Sequence, residues 1–539
     1  MESLMEEAGT RGRFQVLMVT AFKVGMLPVA WSMMQMSFVG LVPDWWCEPP
    51  SGSIFSYGNW SRDNATFHSC TRQNETCQNL IFDDSVRTVV NEWSLVCDLS
   101  YVKPMMTSLQ MAGVLVGALL GGQMSDSLGR RLTVYATSLT HTVCCVVAAF
   151  SVSWQMFAVM RTLTGVTLGV YLVASFSFPL EFVSPAWRQT VAFIPGWSFG
   201  IFLFSLIAWL FPHWSYLHIA LAILSVPFLL TWFVMPESAR WLAVKGRLEE
   251  AEAVIELVAR VNRRQKPPDT LDRLRKVVEK EQKTGQGRRY TYIDVYRGWR
   301  MAFTSLVLNF MWFCMSFCYY GISFGVTGLS GNLYLNIFLM AAVEIPSNFS
   351  TVFLSERLGR RWTIFLFSLI CSLSSFSILI VDLTVPKDKT AVITMGLAMV
   401  SKLAVGAARL SILTFTSEQY PTVIRNLGYG ASNTISRVGG ALAPVLLNMD
   451  TDKEVVRGYV VVGVLLAVSG FATLLLRETK GQALKDSLEV IAEESEKVER
   501  SSEGTNEGDR TSSEPSVHEM TVWTVNSEVA SNETVSVKL

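Results

Sequence analysis

Two short sequences, Gly122–Arg131 (GQMSDSLGRR) and Ser355–Arg361 (SERLGRR), show how this chain is organised. Each follows a long apolar run and ends in the triplet Gly-Arg-Arg, and the two stand about half a chain apart. Internal repeats of this kind are typical of membrane transporters. An acid beside paired arginines can form ion pairs that hold one conformation shut and break when the protein opens. The alternative is that the arginines only follow the preference of positive residues for one side of a membrane.

The apolar runs recur along the whole chain at lengths that suit membrane helices. Half of the 539 residues are hydrophobic and 17% are charged, with a mean hydropathy of +0.33. About 20 apolar residues in a helix cross the hydrocarbon layer of a bilayer. We therefore predict an all-α membrane protein with twelve spans, at 14–40, 104–124, 132–152, 156–178, 190–211, 215–235, 302–323, 332–354, 362–382, 391–416, 426–448 and 457–476.

A charged stretch divides the twelve spans into two groups of six. We predict an N-terminal bundle over 1–235, a helical loop over 236–301, a C-terminal bundle over 302–476 and a disordered tail over 477–539. The short loops on the side of the central stretch carry Arg, while the connections between spans 3 and 4, 5 and 6, and 7 and 8 on the other side carry neither Lys nor Arg. Because Lys and Arg concentrate in cytoplasmic loops, we expect a multi-pass plasma-membrane protein with both termini in the cytoplasm.

The segment 45–103 is a long loop that we place outside the cell. It holds four of the nine cysteines, which predicts two disulfides with three possible pairings. It also holds three Asn-x-Ser/Thr sequons, which indicate glycosylation. The cysteines are Cys47, Cys70, Cys77 and Cys97, and the sequons begin at Asn59, Asn64 and Asn74.

Few partners beyond the bilayer and a small molecule are indicated. The formal net charge is zero, so no nucleic acid is expected. No metal-ligand spacing or nucleotide motif occurs, and we expect no cofactor. The final Val537, Lys538 and Leu539 could bind a PDZ-type domain by strand addition, or could be a free end. A homo-oligomer is a further open alternative.

Charged side chains inside the apolar spans are candidates for a substrate site. A charge in mid-membrane is costly and usually faces a watery cavity. Lys23, Lys402, Arg409 and Arg437 outnumber the one acid near a span centre, Glu344. Such a cavity favours anions, because an arginine can hold a carboxylate with two parallel hydrogen bonds. The alternatives are that Arg437 pairs with Glu344, and that Lys23 and Arg409 extend toward a membrane face.

Several motifs outside the spans match patterns of known transporters. Pro236–Trp241 (PESARW) and Arg477–Gly481 (RETKG) resemble patterns that sugar porters share with organic ion transporters, and Glu418–Asn426 (EQYPTVIRN) matches the latter. The motif after span 2 resembles the major facilitator signature, with Ser127 where a basic residue is common. The large outer loop is typical of the organic cation, anion and carnitine transporter family, although its members often have six cysteines there. From residue 12 to about 481 the chain resembles that family.

The resemblance implies an alternating-access carrier of small organic ions and no enzyme. Ser436–Gly439 (SRVG) resembles the anion and carnitine carriers, since cation carriers typically have aspartate at the arginine position. Gly331–Tyr334 (GNLY) and Glu344–Pro346 (EIP) resemble the cation and carnitine branch. We expect a carboxylate-bearing anion, or a zwitterion such as carnitine. The alternatives are an organic cation carrier with Glu344 as counter-charge, a transport-inactive receptor and a membrane enzyme.

Two sets of functional residues follow from these patterns. Aromatic residues would pack against apolar or cationic parts of a substrate, or only against neighbouring helices. The predicted substrate-binding set is Arg437, Lys402, Glu344, Tyr320, Trp312 and Tyr171. The predicted gating set is Asp126, Arg130, Arg131, Glu356, Arg360, Arg361, Glu237 and Arg240.

Overall fold

The described residues form long helices at all twelve predicted spans. The computed structural model describes residues 2–9, 12–47, 70–72, 75–76, 80–183, 187, 194–285, 291–329, 331–421, 424–447 and 452–480. In order, the helices are α1 (Arg13–Val39, interrupted at Gln35), α2 (Val102–Leu128), α3 (Arg130–Ala149), α4 (Trp154–Leu180), α5 (Gly196–Leu210), α6 (Trp214–Leu230), α7 (Trp299–Phe324), α8 (Leu333–Leu358), α9 (Arg360–Thr384), α10 (Lys387–Gln419), α11 (Arg425–Leu447) and α12 (Asp452–Thr473).

Most of these helices can cross a membrane by length and composition. Within the described ranges, ten of them are long and apolar enough. Helix α5 has 15 described residues, and α11 carries Arg437 and several other polar residues. The predicted all-α fold with twelve spans is confirmed.

Helices α2 and α4 pack unusually closely because glycines face each other. A side-chain carbon placed on Gly113 or Gly117 would overlap the backbone of α4, and one on Gly165 or Gly169 would overlap the backbone of α2. Small residues allow membrane helices to approach in this way. The glycines at these positions therefore serve helix packing in the N-terminal half.

The helices pack mainly within two groups of six. Helix α2 contacts α4, and α1 contacts α5; in the second group α7 contacts α11, and α9 contacts α10 and α12. The groups meet where α2 contacts α11 and where α5 contacts α8. Because residues Met1–Leu484 form one compact unit, the predicted domain boundaries stay a prediction.

Short helices occupy the predicted helical loop, and the N-terminus packs against one of them. The helix Glu2–Ala8 contacts the helix Leu248–Val261, and the side chain of Asn262 donates hydrogen bonds to the carbonyl oxygens of Ala8 and Gly9. The guanidinium of Arg273 binds the carboxylate of Glu7 at 2.8 Å and lowers the pKa of Glu7. The other helices of this loop are Ala239–Val244 and Thr270–Gly285.

The outer loop contains one described disulfide, Cys70–Cys97. Strand β1 (Trp45–Cys47) pairs with β4 (Leu80–Phe82), and β2 (Thr71–Arg72) pairs with β3 (Glu75–Thr76), both antiparallel. A helical turn, Val89–Glu92, follows. Outside the described residues lie Cys77, Asn59, Asn64, Asn74, the side chain of Cys47 and residues 537–539 with their predicted partner.

We call the two ends of the helix bundle the disulfide end and the arginine end. The disulfide end carries Cys70–Cys97, and the arginine end carries Arg130, Arg131, Arg360 and Arg361.

The glycine packing predicts a position-specific effect of one added methyl group. Gly117→Ala should lower the melting temperature of the purified protein, because its new carbon meets the carbonyl of Val166; overpacking of this kind costs roughly 1–3 kcal/mol. Gly122→Ala, on the same helix, has nothing within 4 Å of the added carbon and should be neutral or slightly stabilising. Equal melting temperatures of the two variants would contradict this packing.

Candidate functional site

A cavity of about 990 Å³ lies between the two groups of helices. Ligand sites in proteins usually measure about 300–1,000 Å³, so this space suits an organic ion of drug size. Its charged lining residues are Lys23, Asp126, Arg130, Glu181, Arg240, Glu344, Arg409 and Arg437.

The cavity extends toward the arginine end. Its lining there includes Met5, Asp126, Arg240 and Tyr292. Nearer the disulfide end the two groups of helices touch. The hydroxyl of Ser108 donates a hydrogen bond to the carbonyl of Ala441 at 2.8 Å, and the rings of Phe202 and Phe338 have centroids 4.2 Å apart.

A buried ion pair joins Glu344 and Lys402 at the side of the cavity. The Lys402 ammonium lies 2.9 Å from the Glu344 carboxylate, and the two side chains are 3% and 7% exposed. The hydroxyls of Tyr319 and Ser198 donate to the same carboxylate at 2.6 and 3.0 Å. The sequence-based alternative that Glu344 pairs with Arg437 is therefore wrong, because Lys402 already neutralises this acid.

Of the cavity-lining cations inside the membrane spans, Lys23, Arg409 and Arg437 form no salt bridge with a described residue. The Lys23 ammonium donates to the carbonyl of Ile194 at 3.0 Å. The Arg409 guanidinium lies over the ring of Tyr319, 4.4 Å from its centroid. The alternative that Lys23 and Arg409 extend toward a membrane face is thus wrong.

Aromatic side chains form much of the remaining lining. Trp312 and Tyr320 line the cavity as predicted, and Trp197, Tyr319 and Tyr429 line it as well. The indole of Trp312 donates to Thr416 at 2.8 Å and packs edge-to-face on Tyr429. The indole of Trp197 donates to the Tyr319 hydroxyl at 3.0 Å, which links α5 to α7.

Two residues of the predicted substrate-binding set lie outside the cavity lining. Tyr171 is 2% exposed and packs against Phe228, because its face of α4 points into the N-terminal group of helices. Lys402 is 3% exposed and lies behind Glu344. The expected contact of these two side chains with the cavity is therefore wrong.

Sequence reasoning also missed a buried arginine in α4. Arg161 is 1% exposed, and its guanidinium donates to the side-chain oxygens of Gln35 (3.0 Å) and Gln110 and to the carbonyl of Ser32. It does not line the cavity. The signal was present, since Arg161 interrupts an apolar span.

Asp126, Arg130, Arg131 and Glu237, four predicted gating residues, form one network at the arginine end. Arg130 pairs with Asp126 and with Glu181, the latter at 3.2 Å. The backbone N–H groups of Arg130 and Arg131 donate to the Glu237 carboxylate at 3.0 and 3.1 Å. Glu237 thus caps the N-terminus of α3, where a negative charge is favoured.

The second half repeats this arrangement. Arg360 pairs with Glu418 at 3.2 Å, and the backbone N–H groups of Arg360 and Arg361 donate to Glu478 at 2.9 and 3.1 Å. Among the residues with described side chains, Glu356 is exposed and takes no part in this network. Glu181, Glu418 and Glu478 were missing from the predicted set, although the last two lie in motifs recognised in the sequence.

Known proteins match both the sequence and the fold. The family model described as "Sugar (and other) transporter" matches residues 55–490. The organic cation transporter protein of Drosophila melanogaster is 34% identical over 79% of this chain and 78% of its own length. Human solute carrier family 22 member 13 is 31% identical over 76% of this chain and 72% of its own length. The inward-open xylose transporter XylE of E. coli is similar in fold alone, with a TM-score of 0.63 at 15% identity over 87% of this chain and 98% of that one.

The buried ion pair predicts a rescue by a second substitution. Lys402→Met should lower the melting temperature and the surface amount, because an unpaired buried carboxylate costs roughly 3–5 kcal/mol. Adding Glu344→Gln removes that charge and should restore most of the stability. A double variant as unstable as Lys402→Met alone would contradict the pairing of these two residues.

Proposed function

The chain belongs to the sugar (and other) transporter family and to solute carrier family 22, and from this premise we propose that it carries carboxylate-bearing organic anions or zwitterions across the plasma membrane. Membership makes the chain a multi-pass membrane transporter of small organic ions, and its relatives are transporters and not enzymes. Our proposal includes the kind of ion that is carried, the direction of its transport and the energy source of that transport. Exchange or a gradient would drive the movement.

One observation supports the preference for carboxylates: the charges that line the cavity are not balanced. Glu344 is engaged by Lys402, while Asp126 and Glu181 are engaged by Arg130. Lys23, Arg409 and Arg437 have no such partner in the described part of the chain. In surroundings less polar than water, fixed positive charge attracts a carboxylate more strongly.

The aromatic lining supports the extension to zwitterions. Trp312 and Tyr320 present rings to the same space as Arg437. A quaternary ammonium group binds favourably over such rings. A zwitterion such as carnitine could place its carboxylate at the arginine and its cationic group among the rings.

A second candidate function is organic cation transport. The Drosophila relative's name, organic cation transporter protein, favours it, and Glu344 borders the cavity, where it would act as the counter-charge. Against it, a cation that binds Glu344 would have to displace the Lys402 ammonium, which lies 2.9 Å from that carboxylate. A transport-inactive receptor with the same fold would bind a ligand without accumulating it.

We further propose that the arginine end faces the cytoplasm and that the two charged networks form the gate there. In this orientation the cavity described above opens inward, and the disulfide-bonded loop lies outside. The described contacts of each network stay within its own half. The repetition of the networks in the two halves supports a shared role, namely to meet when the cavity closes on this side.

Alternating access predicts that the contact between Ser108 and Ala441 must separate during transport. The double variant Ser108→Cys/Ala441→Cys, oxidised to a cross-link, should lose uptake and regain it with a reductant. Each single variant, treated in the same way, serves as the control. Full uptake by a fully cross-linked protein would contradict this movement.

The proposed substrate charge predicts the effect of reversing one charge. Arg437→Asp should reduce the uptake of labelled 3-phenylpropionate at least about tenfold, because one charged hydrogen-bonded contact is lost and a repulsion is added. Surface biotinylation should show a normal amount of protein. Labelled tetraethylammonium and carnitine, each with and without sodium, distinguish cation, anion and zwitterion transport. Unchanged carboxylate uptake by this variant would remove the assigned role of Arg437.

A further inference from the structure

We propose that Arg161 is a positioning residue for closure of the disulfide end. Its guanidinium holds the break in α1 at Gln35, and this break directs the terminal turn of α1, Met36–Val39, against the second group of helices. The inference rests on the alternating access proposed above, and it does not depend on which ion is carried.

Arg161 on α4 joins three helices through one buried charge. Its guanidinium donates to the side-chain oxygen of Gln35 on α1 at 3.0 Å and to that of Gln110 on α2. No described acid forms a salt bridge with Arg161, which is 1% exposed. A charge inside a membrane span is costly and usually marks a functional position, and hydrogen bonds from a charged donor are stronger than neutral ones. The charge therefore fixes α1 on α2 and α4 more firmly than neutral side chains would.

The contacts of Arg161 coincide with the break in α1. The main helix of α1 ends at Met34, and the last four carbonyls of a helix lack partners within it. The Ser32 carbonyl is one of these, and the guanidinium of Arg161 donates to it at 3.4 Å. Gln35, the residue at the break, is fully buried and accepts from the same guanidinium. Arg161 thus binds both sides of the break and fixes the direction in which the chain continues.

Beyond the break, the terminal turn of α1 contacts the second group of helices. The ring of Phe38 stacks on that of Tyr334 at the start of α8, with centroids 5.1 Å apart and planes 15° apart. The turn also borders a space of about 40 Å³ between α1, α2, α7 and α11, which we call the disulfide-end cleft. Its lining includes Met36, Ser37, Thr327 and Leu447.

These contacts connect a residue inside the first group to the closure between the groups. Opening of the disulfide end must separate Phe38 from Tyr334 and widen the cleft. Arg161 does not line the central cavity, so its effect on transport passes through the turn and not through a contact with the substrate. Loss of Arg161 should therefore favour the state that is open at the disulfide end.

Two cysteine reporters in the purified protein test this coupling. Thr327→Cys lines the disulfide-end cleft, and Ser177→Cys lines the central cavity on α4 near the arginine end. Arg161→Gln should raise the rate at which a water-soluble maleimide labels Thr327→Cys by about tenfold, because a charged contact that favours closure is lost. The same substitution should lower the labelling rate of Ser177→Cys. Opposite changes at the two ends identify a shift of conformation, since a loosened fold would raise both rates.

A double variant tests whether Arg161 acts through the terminal turn. Phe38→Ala removes the stacking on Tyr334 and should shift both rates in the same directions as Arg161→Gln. Adding Arg161→Gln to Phe38→Ala should then change each rate by less than about twofold, because coupled residues are not additive. Arg161→Lys keeps the charge and should shift the rates less than Arg161→Gln. Thr162→Val is the matched control on α4, since that hydroxyl donates to the carbonyl of Ala158 on its own helix, and it should change neither rate.

The outcomes separate this inference from the proposed function. Unchanged rates in Arg161→Gln, rates that rise together at both reporters, or full additivity with Phe38→Ala would overturn the role of Arg161. A shift with Phe38→Ala alone would leave alternating access standing. If no variant labels Thr327→Cys and the cross-linked Ser108→Cys/Ala441→Cys protein keeps its uptake, alternating access fails as well. If Arg161→Gln does not fold, Gln35→Met decides, because it removes the acceptor of the 3.0 Å hydrogen bond.

Discussion

The ion pair between Glu344 and Lys402 determines the charge of the central cavity. Burying either group alone in a membrane protein is costly, and the pair persists because hydroxyl donors satisfy the carboxylate. Those donors, Tyr319 and Ser198, come from different halves of the protein. The pair therefore also connects the two groups of helices beside the cavity.

Neutralisation of Glu344 changes which residues can meet a substrate. The candidate charges chosen from the spans are four cations and one acid, but the lysine nearest the acid does not line the cavity. Arg437 and Arg409 line it from neighbouring helices, and Tyr319 lies between the ion pair and Arg409.

The repeated arrangement at the arginine end is the second constraint on the fold. In each half an arginine pairs with an acid from the end of another helix, and a further glutamate caps the helix that begins at the Gly-Arg-Arg turn. The positive φ of Gly129 and Gly359 lets the chain turn sharply just before that cap. The turn, the cap and the ion pair thus depend on one another in both halves.

The sequence predicts the helices better than it predicts the site. Twelve spans follow from apolar length. The rotation of each helix about its axis does not follow, because it depends on packing between distant parts of the chain. This is why Lys402 and Tyr171 were placed in the predicted substrate-binding set, and why Arg409 was left out of it. Of the predicted substrate residues, Arg437, Glu344, Tyr320 and Trp312 do line it.

An experimental structure with bound 3-phenylpropionate measures the central claim most directly. We expect its carboxylate within about 2.7–2.9 Å of the guanidinium of Arg437, with the pair between Glu344 and Lys402 intact. A ligand elsewhere in the cavity, with no contact to any arginine, would contradict the claim. So would a structure with tetraethylammonium in which the cation lies beside Glu344 and Lys402 has moved away.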